Sequence, residues 1–162
     1  MPVKPETRFY SKVNAKLHPD VHRQKITSIY GNGTPDFWYS GTKADGWVEY
    51  KWVPSLSRNG VDPLKLLSPL QALWINRRCG EGRLVLVVIG SSEGCAILES
   101  GAWNVRVEKQ TFSHSISAVS AILTGKFHDP SAVSESSGSG NESDVQNSDD
   151  NTSNSRSRVR SV

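Results

Sequence analysis

The stretch Gly33-Thr34-Pro35-Asp36-Phe37-Trp38-Tyr39-Ser40-Gly41-Thr42-Lys43-Ala44-Asp45-Gly46-Trp47-Val48-Glu49-Tyr50-Lys51-Trp52-Val53 reads as a β-hairpin. Two runs of aromatic and β-branched residues flank a polar, glycine-bounded loop over residues 41–46, which is the signature of paired strands. Side chains alternate faces along a strand. Glu49 and Lys51 therefore share a face, and Val48, Tyr50 and Trp52 take the other. A loop centred between Lys43 and Ala44 places Asp36 opposite Lys51 and Trp38 opposite Glu49, and opposed residues of an antiparallel pair share a face. Asp36, Glu49 and Lys51 are thus expected to converge on one patch of sheet, a convergence that a one-residue slip would break.

Before the hairpin, Pro5 suits the first position of a helix, where its missing N–H does no harm. Phe9, Tyr10, Val13 and Leu17 recur at helical spacing, and His18-Pro19 ends that helix. Residues 25–30 read as a short strand and Gly31-Asn32-Gly33 as a turn. After the hairpin, residues 54–66 form a loop rich in Pro, Ser and Gly. Ser68-Pro69-Leu70-Gln71 opens a second helix with a capping-box pattern and Pro at its first position. Leu70, Leu73, Trp74 and Arg77 follow along it, and Gly80 closes it. The apolar run 84–89 predicts a strand covered on both faces, residues 90–94 turn it, and residues 95–99 return. Residues 113–124 form a last amphipathic helix, with Ile116, Val119 and Leu123 on one side and Gly125 after it. The alternation predicts an α/β domain over residues 1–130.

Residues 131–162 contain no aromatic residue, no Leu and no Ile. Such a segment buries too little apolar surface to offset its ordering entropy, so the tail is expected to be disordered, ending in an Arg/Ser segment. Charge divides the same way. Residues 1–130 carry 16 Lys+Arg against 11 Asp+Glu, a net of +5, whereas residues 131–162 carry a net of −2. No apolar run approaches the ~20 residues of a membrane helix, and Met1-Pro2-Val3-Lys4-Pro5-Glu6 lacks the apolar core of a signal peptide. Two cysteines, Cys79 and Cys95, are too few for a disulfide framework or a four-thiolate zinc site. A cytoplasmic protein with reduced thiols is the expectation (host cytoplasm if viral), not a secreted one.

Two carboxylates brought close together repel each other, and a hard divalent cation removes that cost, since Mg²⁺ is held by one or two carboxylates plus phosphate oxygens and water. With Lys51 beside them, Asp36 and Glu49 resemble the equipment of metal-assisted phosphodiester hydrolysis. A surface salt bridge on a half-exposed hairpin explains the same residues equally well on geometry alone. Glu6 precedes Phe9, Tyr10 and Val13 at helical spacing and so falls on the inward face, where a carboxylate is costly unless paired or metal-bound. It also sits in a first turn, where acids suit the helix dipole and can bend to solvent. His18 and His22 have the spacing of a helical zinc pair, but Pro19 argues against a helix there and no third ligand is evident.

Gly33-Thr34-Pro35-Asp36, a short hairpin, and Glu49-Tyr50-Lys51 resemble the PD-(D/E)XK nuclease signature, nearest to the VRR-NUC and phage-type, Holliday junction resolvase-like branch. That branch follows its acid-x-Lys strand with a helix bearing Gln, matched by Ser68-Pro69-Leu70-Gln71-Ala72-Leu73-Trp74. Gly80-Glu81-Gly82-Arg83 then leads into an apolar strand, and Glu6 matches an acid often found on the first helix. The resemblance spans roughly residues 5–100. It implies a restriction-endonuclease-like mixed central sheet flanked by helices and a metal-dependent DNA endonuclease, with structure-specific cleavage of branched or junction DNA as one form such activity takes. Asp36, Glu49 and the Tyr50 carbonyl would ligate Mg²⁺ or Mn²⁺, and Lys51 would orient the attacking water. Glu6 would hold water or a second metal, and Gln71 would support the site. Arg8, Lys12, Lys16, Arg58, Lys65, Arg77 and Arg78 are the candidates for tracking the phosphate backbone. Homodimerisation stays open, and a catalytically silent DNA-binding module that retains the fold is the alternative.

Overall fold

The computed structural model describes residues 1–27 and 33–133. Helix α1 spans Pro5–Asn14, followed by strands β1 (His22–Lys25), β2 (Phe37–Ser40) and β3 (Asp45–Val53). Helix α2 (Pro69–Gly80) leads to β4 (Leu84–Ser91) and β5 (Cys95–Glu99), and α3 (Ile116–Phe127) follows. The five strands form one mixed sheet in the order β1-β2-β3-β4-β5. Only β3 and β4 are parallel; the other neighbours are antiparallel. Parallel neighbours need a crossover, and α2 supplies it.

The sheet is covered on both faces. Alternation sends Val48 and Tyr50 of β3, with Leu86 and Val88 of β4, against Phe9 and Val13 of α1 and Val119, Leu123 and Phe127 of α3. The opposite parity, Val85, Val87 and Ile89, packs with Ile75 of α2 and with Trp103. Glu49 has this second parity and is fully buried. Between α3 and α1 the Ser120 hydroxyl lies 3.0 Å from the Val13 carbonyl, so even a buried polar group there is matched. No helix among the described residues is long and apolar enough to cross a membrane.

Several local expectations are corrected. The first strand lies at His22–Lys25 rather than over residues 25–30; residues 28–32 lie outside the described residues. Helix α1 ends at Asn14, with Leu17 buried in the turn beyond. The β2–β3 register is Phe37↔Val48 and Trp38↔Trp47, two residues from the expected pairing. The loop is tighter, closed by Gly41 N–H to the Ala44 carbonyl at 3.1 Å and held by Lys43 N–H donating to the Phe127 carbonyl at 2.9 Å. An even shift preserves face parity, so the expected convergence survives. In α2, Leu70 and Leu73 are exposed at 55% and 67%, and Ile75 faces the core. Helix α3 begins after a Ser115 cap and runs through Gly125 to Phe127. A helical turn spans Pro130–Val133; the tail from residue 134 lies outside the described residues.

Candidate active site

Four separated segments meet at the end of β2. Pairing with β3 stops at Phe37↔Val48, so the next residue pair would be Asp36 and Glu49. Side chains fill the vacated ladder positions. The Asp36 amide donates to Glu49 Oε2 at 3.1 Å, and the Tyr50 amide donates to Asp36 Oδ2 at 3.0 Å. In an extended strand the N–H and C=O of one residue point to the same edge, so the Tyr50 carbonyl faces the Asp36 side. Glu49 Oε1 accepts from Lys51 Nζ at 2.6 Å and from Gln71 Nε2 at 2.6 Å.

Gln71 is placed by the start of α2. Ser68 caps that helix: its hydroxyl accepts from the Gln71 amide at 3.1 Å, and Gln71 Oε1 accepts from the Ser68 amide at 3.0 Å. The same Oε1 lies 3.3 Å from Lys51 Nζ. The capping box and the polar cluster therefore share one side chain. Gly33 sets the distance between motif turn and helix. It has φ +70°, and a Cβ there would lie 2.3 Å from the Leu70 backbone carbonyl. Only glycine adopts that conformation and allows that approach without strain.

Burial and the neighbouring Asp36 push the Glu49 carboxyl up to about 7, more than the attraction of Lys51 brings it down. Glu6 is half-buried at the start of α1. Burial raises its pKa above the usual carboxylate range, opposed by Lys51 and reinforced by Asp36, and it has a backbone hydrogen bond from Trp52. Thus Glu6, Asp36 and Glu49, with Lys51, influence one another electrostatically. Each carboxylate takes a backbone N–H, from Trp52, Tyr50 and Asp36 respectively. These amide partners were missed in the sequence, because backbone donors carry no side-chain signal. Three carboxylates against Lys51, with Lys4 acting on Glu6 alone, leave negative charge uncompensated in a largely buried place. Oxygen donors with that excess charge match a hard divalent cation.

The expected basic residues lie in different settings. Arg8 and Lys12 flank an apolar groove with Phe9, Trp52 and Ile116. Arg58 lines a shallow polar cleft with Arg106 and Lys109. Arg77 and Arg78 both pair with Glu81, at 3.2 and 2.8 Å. Lys16 and Lys65 are exposed. His22 packs edge-on against Trp38, so the His18/His22 pair considered from spacing does not form.

No protein-family model matches the sequence, and no protein of curated function matches it. The structure is similar to that of Hjc, a Holliday junction resolvase from the archaeal hyperthermophile Archaeoglobus fulgidus. The TM-score is 0.47 with 11% sequence identity, covering 73% of this chain and 97% of that chain.

Proposed function

We propose that the chain is a metal-dependent endonuclease of the PD-(D/E)XK type acting on DNA, with branched or junction DNA as its preferred substrate. The observation that carries the reading is Glu49. It is a fully buried carboxylate, hydrogen-bonded by Lys51 and Gln71 and raised in pKa partly by Asp36. A purely structural role would be served better by an apolar residue, because a buried ion pair recovers its desolvation cost only in very good geometry. Asp36, Glu49 and the Tyr50 carbonyl would hold Mg²⁺ or Mn²⁺. The cation, when bound, polarises a phosphate oxygen and lowers the pKa of its water.

Lys51, held against Glu49 Oε1 at 2.6 Å, would present its ammonium to a phosphate oxygen or the attacking water once a cation takes Glu49. Gln71 keeps Glu49 and Lys51 in register throughout. Glu6, half-buried beside the cluster with its carboxyl raised by burial, would hold a water or a second cation. Phosphate contacts from the basic residues of α1 and of the Arg58 cleft would give salt-sensitive affinity.

The test is cleavage of supercoiled, linear and four-way-branched DNA with Mg²⁺ or Mn²⁺, using wild type, Lys51→Ala and Asp36→Asn. Wild type is expected to cut in at least one metal, preferring the branched substrate. Both variants should lose at least about 100-fold, the scale of removing a positioned proton-transfer or charge-stabilising group. Absence of cutting by wild type in either metal refutes the enzyme. Retarded DNA without cleavage points to the binding module. Equal cutting by the variants refutes the site.

A further inference from the structure

We propose that His18, Asp20 and His128 form a second metal site, one for a borderline transition cation of the Zn²⁺ type. It joins the turn after α1 to the C-terminal end of α3. One ligand atom from each of the three side chains lies within 4.8 Å of the other two. His18 Nδ1 is 3.7 Å, and His128 Nε2 3.8 Å, from Asp20 Oδ2. Tetrahedral zinc with bonds of about 2.0–2.1 Å needs ligand atoms about 3.4 Å apart, so the cluster closes by at most about 1.4 Å.

Hydrogen bonds hold the ligand side chains of the cluster in place. The Thr42 hydroxyl has one hydrogen. It lies 3.2 Å from the Asp129 carbonyl, which can only accept, and it receives the Asp129 amide at 2.8 Å. Its remaining contact, at 3.2 Å, is with His128 Nδ1. His128 Nε2 faces Asp20 at 3.8 Å. Metal-binding histidines commonly have their second ring nitrogen hydrogen-bonded to a fixed partner, and here Nδ1 is held by Thr42. On the other side His18 Nδ1 accepts from the Asp20 amide at 3.3 Å, so a metal there takes the place of that hydrogen bond. Two ring nitrogens and a carboxylate oxygen thus face one another. Imidazole donors favour zinc-like ions over Mg²⁺.

His128 is buried, whereas His18 and Asp20 are exposed. The two imidazole rings are stacked at 4.4 Å and 14°. Parallel planes cannot both contain one ion, so binding tilts the exposed His18 ring and leaves His128 in place. Water completes the fourth position, as in three-ligand zinc sites. The His18 amide also donates to Thr124 Oγ1 of α3 at 3.2 Å, so the segments to be joined are already in contact. Neither chain segment belongs to the Asp36/Glu49 cluster, and the inference is independent of the nuclease reading.

The test is equilibrium dialysis of Zn²⁺ against the full chain without a polyhistidine tag, after stripping with EDTA. Visible absorption of the Co²⁺ form and thermal unfolding with and without Zn²⁺ accompany it. Wild type is expected to bind one zinc per chain, unaffected by excess Mg²⁺, with a higher Tm when loaded because only the folded chain assembles the ligands. Asp20→Asn and His18→Ala change exposed residues and should unfold like wild type in EDTA, yet bind zinc at least tenfold more weakly. His22→Ala should bind like wild type. Absence of stoichiometric zinc, or equal binding by wild type and both variants, overturns the site. Loss of binding in Asp36→Asn but not in Asp20→Asn would move the zinc to the acidic cluster and overturn it as well.

Discussion

Replacing Glu49 by Gln should flatten the pH dependence of stability in the metal-free chain. Glu49 is 0% exposed, so solvent does not screen its charge, and its folded pKa is near 7 against an ordinary 4.5. The folded state therefore binds the proton more tightly than the unfolded state. This contribution is full below about pH 4.5 and is lost as pH rises through 7. The shift corresponds to about 3 kcal/mol in all, of which about 2 kcal/mol falls between pH 5.5 and 8.5. Urea unfolding in EDTA, followed by tryptophan fluorescence, should show wild type losing that amount relative to Glu49→Gln over this interval. Gln brings its own pH-independent cost, because Lys51, Gln71 and the Asp36 amide are all donors. Only the difference in slope between the two proteins is diagnostic. Identical slopes would refute the assignment of Glu49 as a carboxylate held near neutrality.

Mg²⁺ added at pH 8.5 should restore part of the lost stability to wild type and none to Glu49→Gln; calorimetry in two buffers should find proton release on binding at pH 6.5 and little at pH 8.5. Gly33→Ala should cost about 1–3 kcal/mol, the scale of a strained backbone position, and weaken DNA cleavage by displacing the start of α2. Ser68→Ala should cost about 1 kcal/mol through the lost cap and also slow cleavage, whereas Ser115→Ala, which removes the cap of α3, should cost similar stability with cleavage unchanged. Ile75→Ala, at a fully buried position, should cost about 2–5 kcal/mol, readable as a lower urea midpoint.

The hairpin, the capped second helix and the apolar strand at residues 84–91 were legible because each carries a local signal: alternation, a capping box, a continuous apolar run. The face shared by Asp36, Glu49 and Lys51 was legible for the same reason, and it survived a wrong register because the error was even. The register depends on how the hairpin loop meets the Phe127 carbonyl, a contact spanning more than eighty residues that no local pattern encodes. His128 meets His18 across more than a hundred residues, through the packing of α1 against α3, which no local pattern encodes.

Gln71 ties two stabilities into one. A helix end ordinarily frays almost freely, since its first amides can turn to water. Here the first turn of α2 cannot open without taking a donor away from a buried carboxylate and an acceptor away from Lys51. Hydrogen exchange of the Gln71 amide should therefore be slower than its terminal position suggests, and slower in wild type than in Glu49→Ala. The helix start becomes part of the same cooperative unit as the sheet, and whatever loosens one disarms the other.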